Sequence, residues 1–422
     1  MRKFLQKILA LTASLFLWRY KPKVIAITGS VGKTSAKEAI AKVLQTKFKV
    51  RASPGNYNNE FGVPLTVIGE ISAGRSVFGW FLIFLKALIK FVGGGYPQVL
   101  ILELGADRPG DIGYLVSLLG KIDAAVITDI GISHLQFFSD QSELAKEKIA
   151  LIKKLKPESK AILNFDSPKV YEGRLATKAE VVGFGFDQLA AVQVSDFQLL
   201  LVDNTWGANF KVHYRGTVVP FFIPNGLGKP VVYAALAAAA VGLSFDINLV
   251  NVSEVLKTFE PPAGRLRLIA GIKNTLILDD TYNAAPASTN AALEVLNLIT
   301  SGRRIVALGS MTELGGKTEA GHREVAARIG EIQPAVIFLV GEETKYIRDE
   351  LNKRKFGGNM FWYATSDEAR LPIQNTISER DTILVKGSQA VRMEKIVKEI
   401  MAEPMRADEL LVRQSEKWLD QP

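Results

Sequence analysis

A short glycine-rich stretch near the start of the chain carries the clearest chemical signal. It reads ITGSVGKTS over residues 27–35, between an apolar run and a helical pattern. The glycines let the backbone curl so that its N–H groups point inward, and the following helix adds the positive end of its dipole. A lysine would then reach the β- and γ-phosphates, and a threonine hydroxyl would coordinate magnesium. We therefore predict a nucleotide-binding loop formed by Gly29, Ser30, Val31, Gly32, Lys33, Thr34 and Ser35.

Two further side chains follow predicted buried strands and could complete a metal site. Glu103 ends the apolar run VLILEL and precedes a glycine, which is the position expected for a carboxylate ligand of magnesium. His134 follows the apolar run AAVITDI by four residues and is one of only three histidines in the chain. The alternatives are a glutamate that caps a strand and a histidine that is simply a polar loop residue.

The elements that position these residues alternate between short apolar runs and helical patterns. This alternation predicts an α/β fold around mostly parallel sheets, with buried strands at 24–28, 99–104, 124–130 and 161–165. Residues 180–224 alternate in a way that predicts an antiparallel edge. The prolines and glycine of FEPPAGRLRL (259–268) predict a domain boundary, after which a second α/β alternation begins. We expect an N-terminal segment 1–22, a central domain 23–260 with an apolar insertion 75–93, a C-terminal domain 261–403 and a polar, loosely held tail 404–422.

The composition restricts the chemistry and the partners. The 422 residues include no cysteine, which excludes disulfides, thiolate metal sites and cysteine nucleophiles. The net charge of +9 favours polyanionic partners such as nucleotides or anionic lipid. Nucleic acid is not predicted, because no basic and aromatic residues cluster as in proteins that read bases.

Two apolar segments could contact a membrane. In the N-terminal segment, Lys3, Lys7, Ser14 and Lys21 would share one stripe of a helix whose remaining circumference is apolar. The segment 75–92 repeats this plan with Arg75, Gly79, Lys86 and Lys90. Helices that lie in a membrane interface have this pattern. Packing on each other, on the core or across a dimer is the alternative, and the apolar run in the first segment is about half the ~20 residues of a transmembrane helix.

Taken together, the motifs resemble the Mur ligase family. The resemblance implies a central P-loop ATPase domain with a mostly parallel sheet and a Rossmann-like C-terminal α/β domain. It also implies an ATP-dependent ligase that activates a carboxylate as an acyl phosphate and joins it to the amine of an amino acid or dipeptide, in the synthesis of cell-wall peptidoglycan precursors. The matching stretches, in the family's order, are ITGSVGKTS, NYNNEFGVPLTVI, ELGADRPGDI, SHLQFFSDQSELAKEKIAL, PPAGRLRL, LDDTYNAAPAS, LGSMTELG and ILVKGSQAVRMEKI.

The resemblance also assigns roles to single residues. It implies ATP and two magnesium ions as cofactors, one ion held by Thr34 and Glu103 and the second held with the help of His134. The family uses a carbamylated lysine as an additional metal ligand, and the pattern SELAKEKIAL places it on Lys146, with Lys148 as the alternative. The catalytic set is therefore Lys33, Glu103, His134 and Lys146. Further ATP contacts are expected from Arg265, Asp280 and Asn283, and substrate contacts from Asn58, Asn59, Asp107, Arg108, Lys386 and Arg392.

The sequence departs from the family pattern where substrates would be read. Pro230 and Val231 replace a histidine–asparagine pair that faces adenine, and Gln389 replaces an arginine after KGS. The chain has no room before Ile27 for the family's N-terminal domain, which grips a UDP-sugar. We therefore expect a small-molecule or lipid-linked acidic acceptor, with a cytoplasmic enzyme on the inner face of the membrane. Two other hypotheses remain open: a ligase with another acceptor, as in the folylpolyglutamate synthases, and a non-catalytic nucleotide-binding scaffold at a membrane.

Overall fold

The structure is a computed structural model that describes residues 2–55, 57–131, 138, 140–203, 205–299 and 302–419. The prediction of an α/β fold is confirmed, because helices cover both faces of two separate, mostly parallel sheets. The predicted antiparallel edge is also present. The last residue of the first sheet is Pro224 and the first residue of the second is Arg267, and the proline-rich stretch lies between them.

The first sheet contains nine strands in the described part of the chain, in the order β2-β3-β1-β4-β5-β6-β7-β8-β9. Pairing is parallel from β2 to β7 and antiparallel from β7 to β9. The strands are β1 (Lys23–Thr28), β2 (Val50–Ala52), β3 (Val99–Glu103), β4 (Ala124–Ile127), β5 (Lys160–Asn164), β6 (Glu180–Gly185), β7 (Val192–Val202), β8 (Thr205–Tyr214) and β9 (Thr217–Pro224).

Helices pack on both faces of this sheet because its strands alternate buried side chains to either side. One core lies under α2 (Lys33–Leu44), α8 (Gly228–Ser244) and α9 (Leu249–Leu256), where the alanine-rich α8 packs closely on α2. The opposite core lies under the remaining helices. They are α1 (Arg2–Tyr20), α3 (Gly62–Ile68), α4 (Val77–Gly93), α5 (Asp111–Leu119), α6 (Gln141–Lys153) and α7 (Pro168–Gly173).

The second sheet has the order β10-β11-β15-β12-β13-β14 among the described residues, and only β10 runs antiparallel to its neighbour. Its strands are β10 (Arg267–Ala270), β11 (Leu276–Asp280), β12 (Arg304–Gly309), β13 (Val336–Val340), β14 (Asn359–Tyr363) and β15 (Thr382–Lys386). The helices of this half are α10 (Pro286–Leu298), α11 (Thr318–Ile332), α12 (Lys345–Lys353), α13 (Ser366–Thr376), α14 (Glu394–Ile400), α15 (Ala407–Leu410) and α16 (Glu416–Leu419).

The segment after residue 403 is packed on the second sheet, so the expectation of a loosely held tail is wrong as far as Arg413. Ala407 and Leu411 are buried in the core under the sheet. The buried Arg413 guanidinium donates to the carbonyls of Thr281 and Tyr282 and pairs with Glu394 at 2.8 Å. The tail therefore supports the loop that follows β11.

Replacing Arg413 with alanine is expected to destabilise the protein by roughly 3 kcal/mol, because it removes one partner of a buried ion pair and the guanidinium that donates to the Thr281 and Tyr282 carbonyls. The free energy of unfolding in urea measures this. The control is Arg406→Ala, which removes a half-exposed guanidinium from surface pairs with Glu403 and Glu409 and should leave the midpoint unchanged. Equal urea midpoints for Arg413→Ala and Arg406→Ala would contradict the stabilising role given to Arg413.

Candidate active site

The glycine-rich loop joins β1 to α2 at the carboxyl end of the first sheet. Gly29 has φ 153°, and a Cβ at this position would lie 2.0 Å from the Thr128 hydroxyl oxygen, so no other residue fits there. Gly32 has φ 85° and precedes the first residue of α2. The loop is tied to the end of β4 by bonds from Ser30 N to the Asp129 carbonyl (2.7 Å) and from the Thr128 hydroxyl to the Val31 carbonyl (2.6 Å). The backbone that would cradle phosphates is thus preshaped.

Two lysines, one partly buried and one buried, meet at one carbonyl of this loop. Lys33 Nζ donates to the Gly29 carbonyl at 2.7 Å, and Lys148 Nζ donates to the same oxygen at 3.0 Å. Burial lowers the pKa of Lys33. Burial, followed by repulsion from Lys33, lowers the pKa of Lys148 to about 7. The Lys148 amine is therefore partly neutral near neutral pH and can act as a nucleophile.

The geometry separates the two lysines that the sequence interpretation considered for carbamylation. Lys146 is exposed on α6, whereas Lys148 is 2% exposed and lies against the loop. The two residues are about 200° apart around a helix, so they cannot share a site. Between them, Glu147 accepts bonds from Gly110 N and Ile112 N and so holds the start of α5. Lys148, the alternative in the sequence interpretation, takes the place predicted for Lys146.

The predicted magnesium ligands lie together beside the loop. Parallel pairing sets Ile27 opposite Glu103, and the Thr34 hydroxyl donates to Glu103 Oε2 at 3.1 Å. Asn58 Nδ2 donates to Glu103 Oε1 at 3.3 Å. A hydroxyl and a carboxylate are oxygen ligands of the kind that magnesium prefers. Among the described residues, no group of three or more His, Cys, Asp or Glu side chains is arranged to hold a metal ion. His134 lies outside the described residues.

Residues of the second sheet face this loop across a cleft of about 340 Å³. The cleft is lined by Ser30, Val31, Gly32 and Ser35 from the loop and by Arg265, Asp280, Asn283 and Lys386 from the other half. The Arg265 guanidinium stacks on the Tyr282 ring at 3.8 Å, and its Nε is buried without a hydrogen-bond partner in the described part of the chain. An anion in the cleft would satisfy this orphaned donor.

Parallel pairing of β11 with β15 sets Asp280 opposite Lys386. Lys386 Nζ donates to Asp280 Oδ2 at 2.6 Å and to the Asn283 carbonyl at 2.8 Å. Burial lowers the pKa of Lys386, and Asp280 opposes this shift. Asn283 Nδ2 donates to Glu313, so the predicted nucleotide-binding residues of this half form one network. The network places the Lys386 ammonium and the Asp280 carboxylate at the edge of the cleft.

Four predicted substrate contacts have other placements. Asn59 Oδ1 accepts bonds from Phe61 N and Gly62 N at the start of α3, which is a capping role. Arg392 is buried and pairs with Glu394 at 2.6 Å, away from the residues that line the cleft. These two are corrected to structural roles. Asp107 and Arg108 are exposed in the loop after Glu103, and their backbone N–H groups both donate to Asp111 at the start of α5.

The site also contains residues that the sequence analysis missed. Asp129 follows β4 and lines the cleft, and burial raises its pKa. Asp166 accepts bonds from Phe186 N and Asp187 N, and it bonds the Tyr233 hydroxyl, whose pKa is raised by burial. Each of these acids lies two residues after the end of a buried strand, whereas Glu103 is the last residue of its strand. An acid just after an apolar run is a signal that could have found them. Pro230, Val231 and Tyr233 also line the cleft, at the helix start where the family's adenine contacts were expected.

These features define a two-sheet P-loop enzyme whose cleft can hold a nucleotide beside an oxygen-liganded metal. The model of the Mur ligase middle domain matches residues 27–74 and 83–242, and the model described as "Mur ligase, glutamate ligase domain" matches residues 264–389. The chain therefore belongs to the Mur ligase family, whose members are ATP-dependent ligases.

Individual relatives agree with this assignment. The UDP-N-acetylmuramoyl-tripeptide–D-alanyl-D-alanine ligase of Bacillus subtilis is 30% identical over 93% of this chain and 79% of its own length. A crystal structure of MurF from Acinetobacter baumannii has a TM-score of 0.78 at 25% identity, covering 95% of this chain and 80% of that one. MurF from Thermotoga maritima, solved in complex with ADP, shares the fold with a TM-score of 0.77 at 22% identity, over 93% and 83% of the two chains.

Proposed function

We propose that this chain joins a substrate carboxylate to the amine of an amino acid or dipeptide, with hydrolysis of ATP to ADP and phosphate, in the synthesis of peptidoglycan precursors. The observation that carries the proposal is the cleft in which the P-loop faces Arg265 and Lys386 of the other half. A carboxylate oxygen attacks the γ-phosphorus and ADP leaves, which gives an acyl phosphate. The amine then attacks the acyl carbon, phosphate leaves, and the amine loses a proton as the amide forms.

The positions of the cations support this assignment. Phosphoryl transfer needs positive charge at fixed positions rather than covalent help from the protein. The P-loop backbone lines one side of the cleft, with Lys33 bonded to its Gly29 carbonyl. The Arg265 Nε, which has no hydrogen-bond partner among the described residues, lies on the other side. A cleft closed between two domains also excludes water, which would otherwise hydrolyse an acyl phosphate.

We extend the proposal to magnesium, with Thr34 and Glu103 as protein ligands of one ion and His134 as the predicted contact of a second. Bound magnesium neutralises charge on the phosphate oxygens. The support for a magnesium site is that the Thr34 hydroxyl oxygen and Glu103 Oε2, both suitable ligands, lie 3.1 Å apart. Asn58 orients the carboxylate through its other oxygen.

We also propose that Lys148 is carbamylated. A neutral lysine amine can add to carbon dioxide and lose one proton to give a carbamate, which is an anionic oxygen ligand, whereas an ammonium has only donors. Three observations support Lys148: its burial, its lowered pKa and its bond to the P-loop carbonyl.

The proposed acceptor is an acidic peptide of the muramoyl type, and the proposed amine is a dipeptide, because the relatives named above carry such substrates in their names. We propose further that the acceptor is presented by a lipid at the inner face of the membrane. The apolar outer surfaces of α1 and α4 support this location, and consumption of ATP is in keeping with the cytoplasmic side.

Phosphate release from ATP, measured with a panel of acidic acceptors and amines, tests the function. A ligase should release phosphate only when an acceptor carboxylate is present, and product should form in equal amount when an amine is added. Comparing the rates with soluble and lipid-linked forms of each acceptor tests the proposed location, since a higher rate with the lipid-linked form supports presentation at a membrane. Release that no acceptor or amine changes would contradict ligation and favour a nucleotide-binding scaffold.

A further inference from the structure

The outer surfaces of α1 and α4 are apolar and exposed. Trp18 is 72% exposed and Leu11 is 64% exposed on α1, and Leu88 is 61% exposed on α4. Proteins in water seldom leave a contiguous surface of this kind uncovered unless it binds something. We call it the apolar face. It consists of Phe4, Leu11, Leu15 and Trp18 on α1 and of Val77, Phe78, Phe81, Leu85, Leu88, Ile89 and Val92 on α4.

A different stripe of each helix is already committed to the fold. Leu9, Ala13 and Phe16 of α1 are buried in the same core as Ile83 and Ala87 of α4. The expectation of packing on the core is thus correct for one stripe of each helix. The apolar face is a second, separate stripe, so its exposure does not reflect a failure of the helices to pack.

The two helices run in the same direction and bury their other stripes in the same core, so their exposed stripes belong to one side of the molecule. At their starts, Arg2 pairs with Glu60 and stacks on Phe61, whose ring also lies 6.5 Å from that of Trp80. At their ends, the Tyr20 hydroxyl donates to the Phe91 carbonyl. Contacts at both ends hold α1 and α4 side by side.

Charge shows which partner suits this surface. Residues 1–37 and 71–102 contain no Asp or Glu. Exposed basic residues border the apolar face instead: Lys3, Lys7, Arg19, Lys21, Arg75 and Lys86. A second copy of the chain would set these cations against one another without a single acid from the same segments. An anionic membrane surface offers both an apolar layer and negative charge.

We propose that the apolar face docks on the surface of an anionic bilayer, with α1 and α4 lying in its interface. None of the helices in the described part of the chain has the length and hydropathy of a membrane span. Lysine and arginine side chains of the border reach the headgroups while their stems cover apolar surface. This docking does not depend on which amide the enzyme forms.

The docked orientation brings the active site to the membrane. Both helices begin next to Glu60 and Phe61, and Asn58, two residues earlier, donates to Glu103 of the proposed metal site. The starts of α1 and α4 therefore lie on the side of the first sheet that holds the P-loop. A carboxylate attached to a lipid in the same bilayer would have a short path to the cleft.

Flotation of the full chain with vesicles of neutral phosphatidylcholine, with and without 30% phosphatidylglycerol, tests the proposal. We expect flotation with the anionic vesicles and at least about fivefold less with neutral ones, since each basic residue near an anionic surface is worth about fivefold in affinity. Leu11→Glu combined with Leu88→Glu should abolish flotation, because it places a charge on each exposed stripe.

The matched control is Leu189→Glu combined with Leu371→Glu. These leucines are 67% and 52% exposed, in the turn after β6 and on α13, and their replacement should leave flotation intact. Both double variants should retain the thermal unfolding midpoint and phosphate release with a soluble acceptor. Failure of the unaltered chain to float, or equal flotation of both variants, would overturn the proposal. A lipid-free dimer that only Leu11→Glu/Leu88→Glu dissociates would assign the face to a second copy instead.

Discussion

Replacing Lys33 with methionine should lower ATP-dependent amide formation by about 10²- to 10³-fold, the range observed when one preorganised electrostatic group is removed from a transition state. The partly buried Lys33 ammonium donates to the Gly29 and Ser30 carbonyls of the P-loop, whose backbone we propose cradles the nucleotide phosphates. Methionine keeps most of the side-chain volume but has no charge. Single-turnover rates of phosphate release, at saturating acceptor, measure the effect.

The control is Lys42→Met on the same helix. Lys42 lies in the last turn of α2, far along the helix from the P-loop, so its rate should match that of the unaltered chain. Stabilisation by ADP in a thermal unfolding assay separates loss of binding from loss of turnover. A Lys33→Met enzyme with an unchanged turnover rate would contradict the role given to this lysine.

Replacing Lys148 with glutamine should reduce activity by about 100-fold, the upper end of the losses caused by disturbing the surroundings of a metal site. The change removes both the bond to the Gly29 carbonyl and the amine that would carry the carbamate. Because a carbamate forms from the neutral amine, activity of the unaltered enzyme should depend on bicarbonate. At a fixed bicarbonate concentration, activity should fall as the pH drops below about 7, where the amine becomes an ammonium.

Lys146→Gln is the matched control, since it makes the same chemical change two residues away on the exposed side of α6. We expect it to keep full activity. Labelling with ¹³C-bicarbonate should give a carbamate resonance in the unaltered chain and in Lys146→Gln, and none in Lys148→Gln. A resonance lost only in Lys146→Gln would restore the sequence interpretation.

Local patterns predicted the parts of the site that depend on neighbouring residues in the chain. The glycine spacing predicted the phosphate loop, because the backbone at Gly29 leaves no room for a side chain. The position of Glu103 at the end of an apolar strand predicted that it lies beside this loop. The parallel sheets were predicted from the alternation of short apolar runs with helical patterns alone. Buried strands and the helices that cover them can be told apart because their apolar residues repeat with different spacings. The antiparallel edge at β7 to β9 followed from alternating polarity in the same way.

Choices between neighbouring residues could not be made from sequence. Lys146 and Lys148 lie in the same basic run, and only the packing of α6 decides which one points inward. Asn59 and Arg392 have the polarity of substrate contacts, yet one caps a helix and the other neutralises a buried glutamate. Such roles depend on tertiary contacts with residues that no local pattern specifies.

The parallel arrangement of α1 and α4 has a consequence for the rate of the reaction. An enzyme held at a surface searches for a lipid-linked acceptor in two dimensions, and tethering of this kind raises the effective concentration of the second partner. Weak intrinsic affinity for the acceptor would then suffice for turnover. Because the starts of both helices lie beside Glu60, the attachment also fixes the side from which a tethered carboxylate arrives.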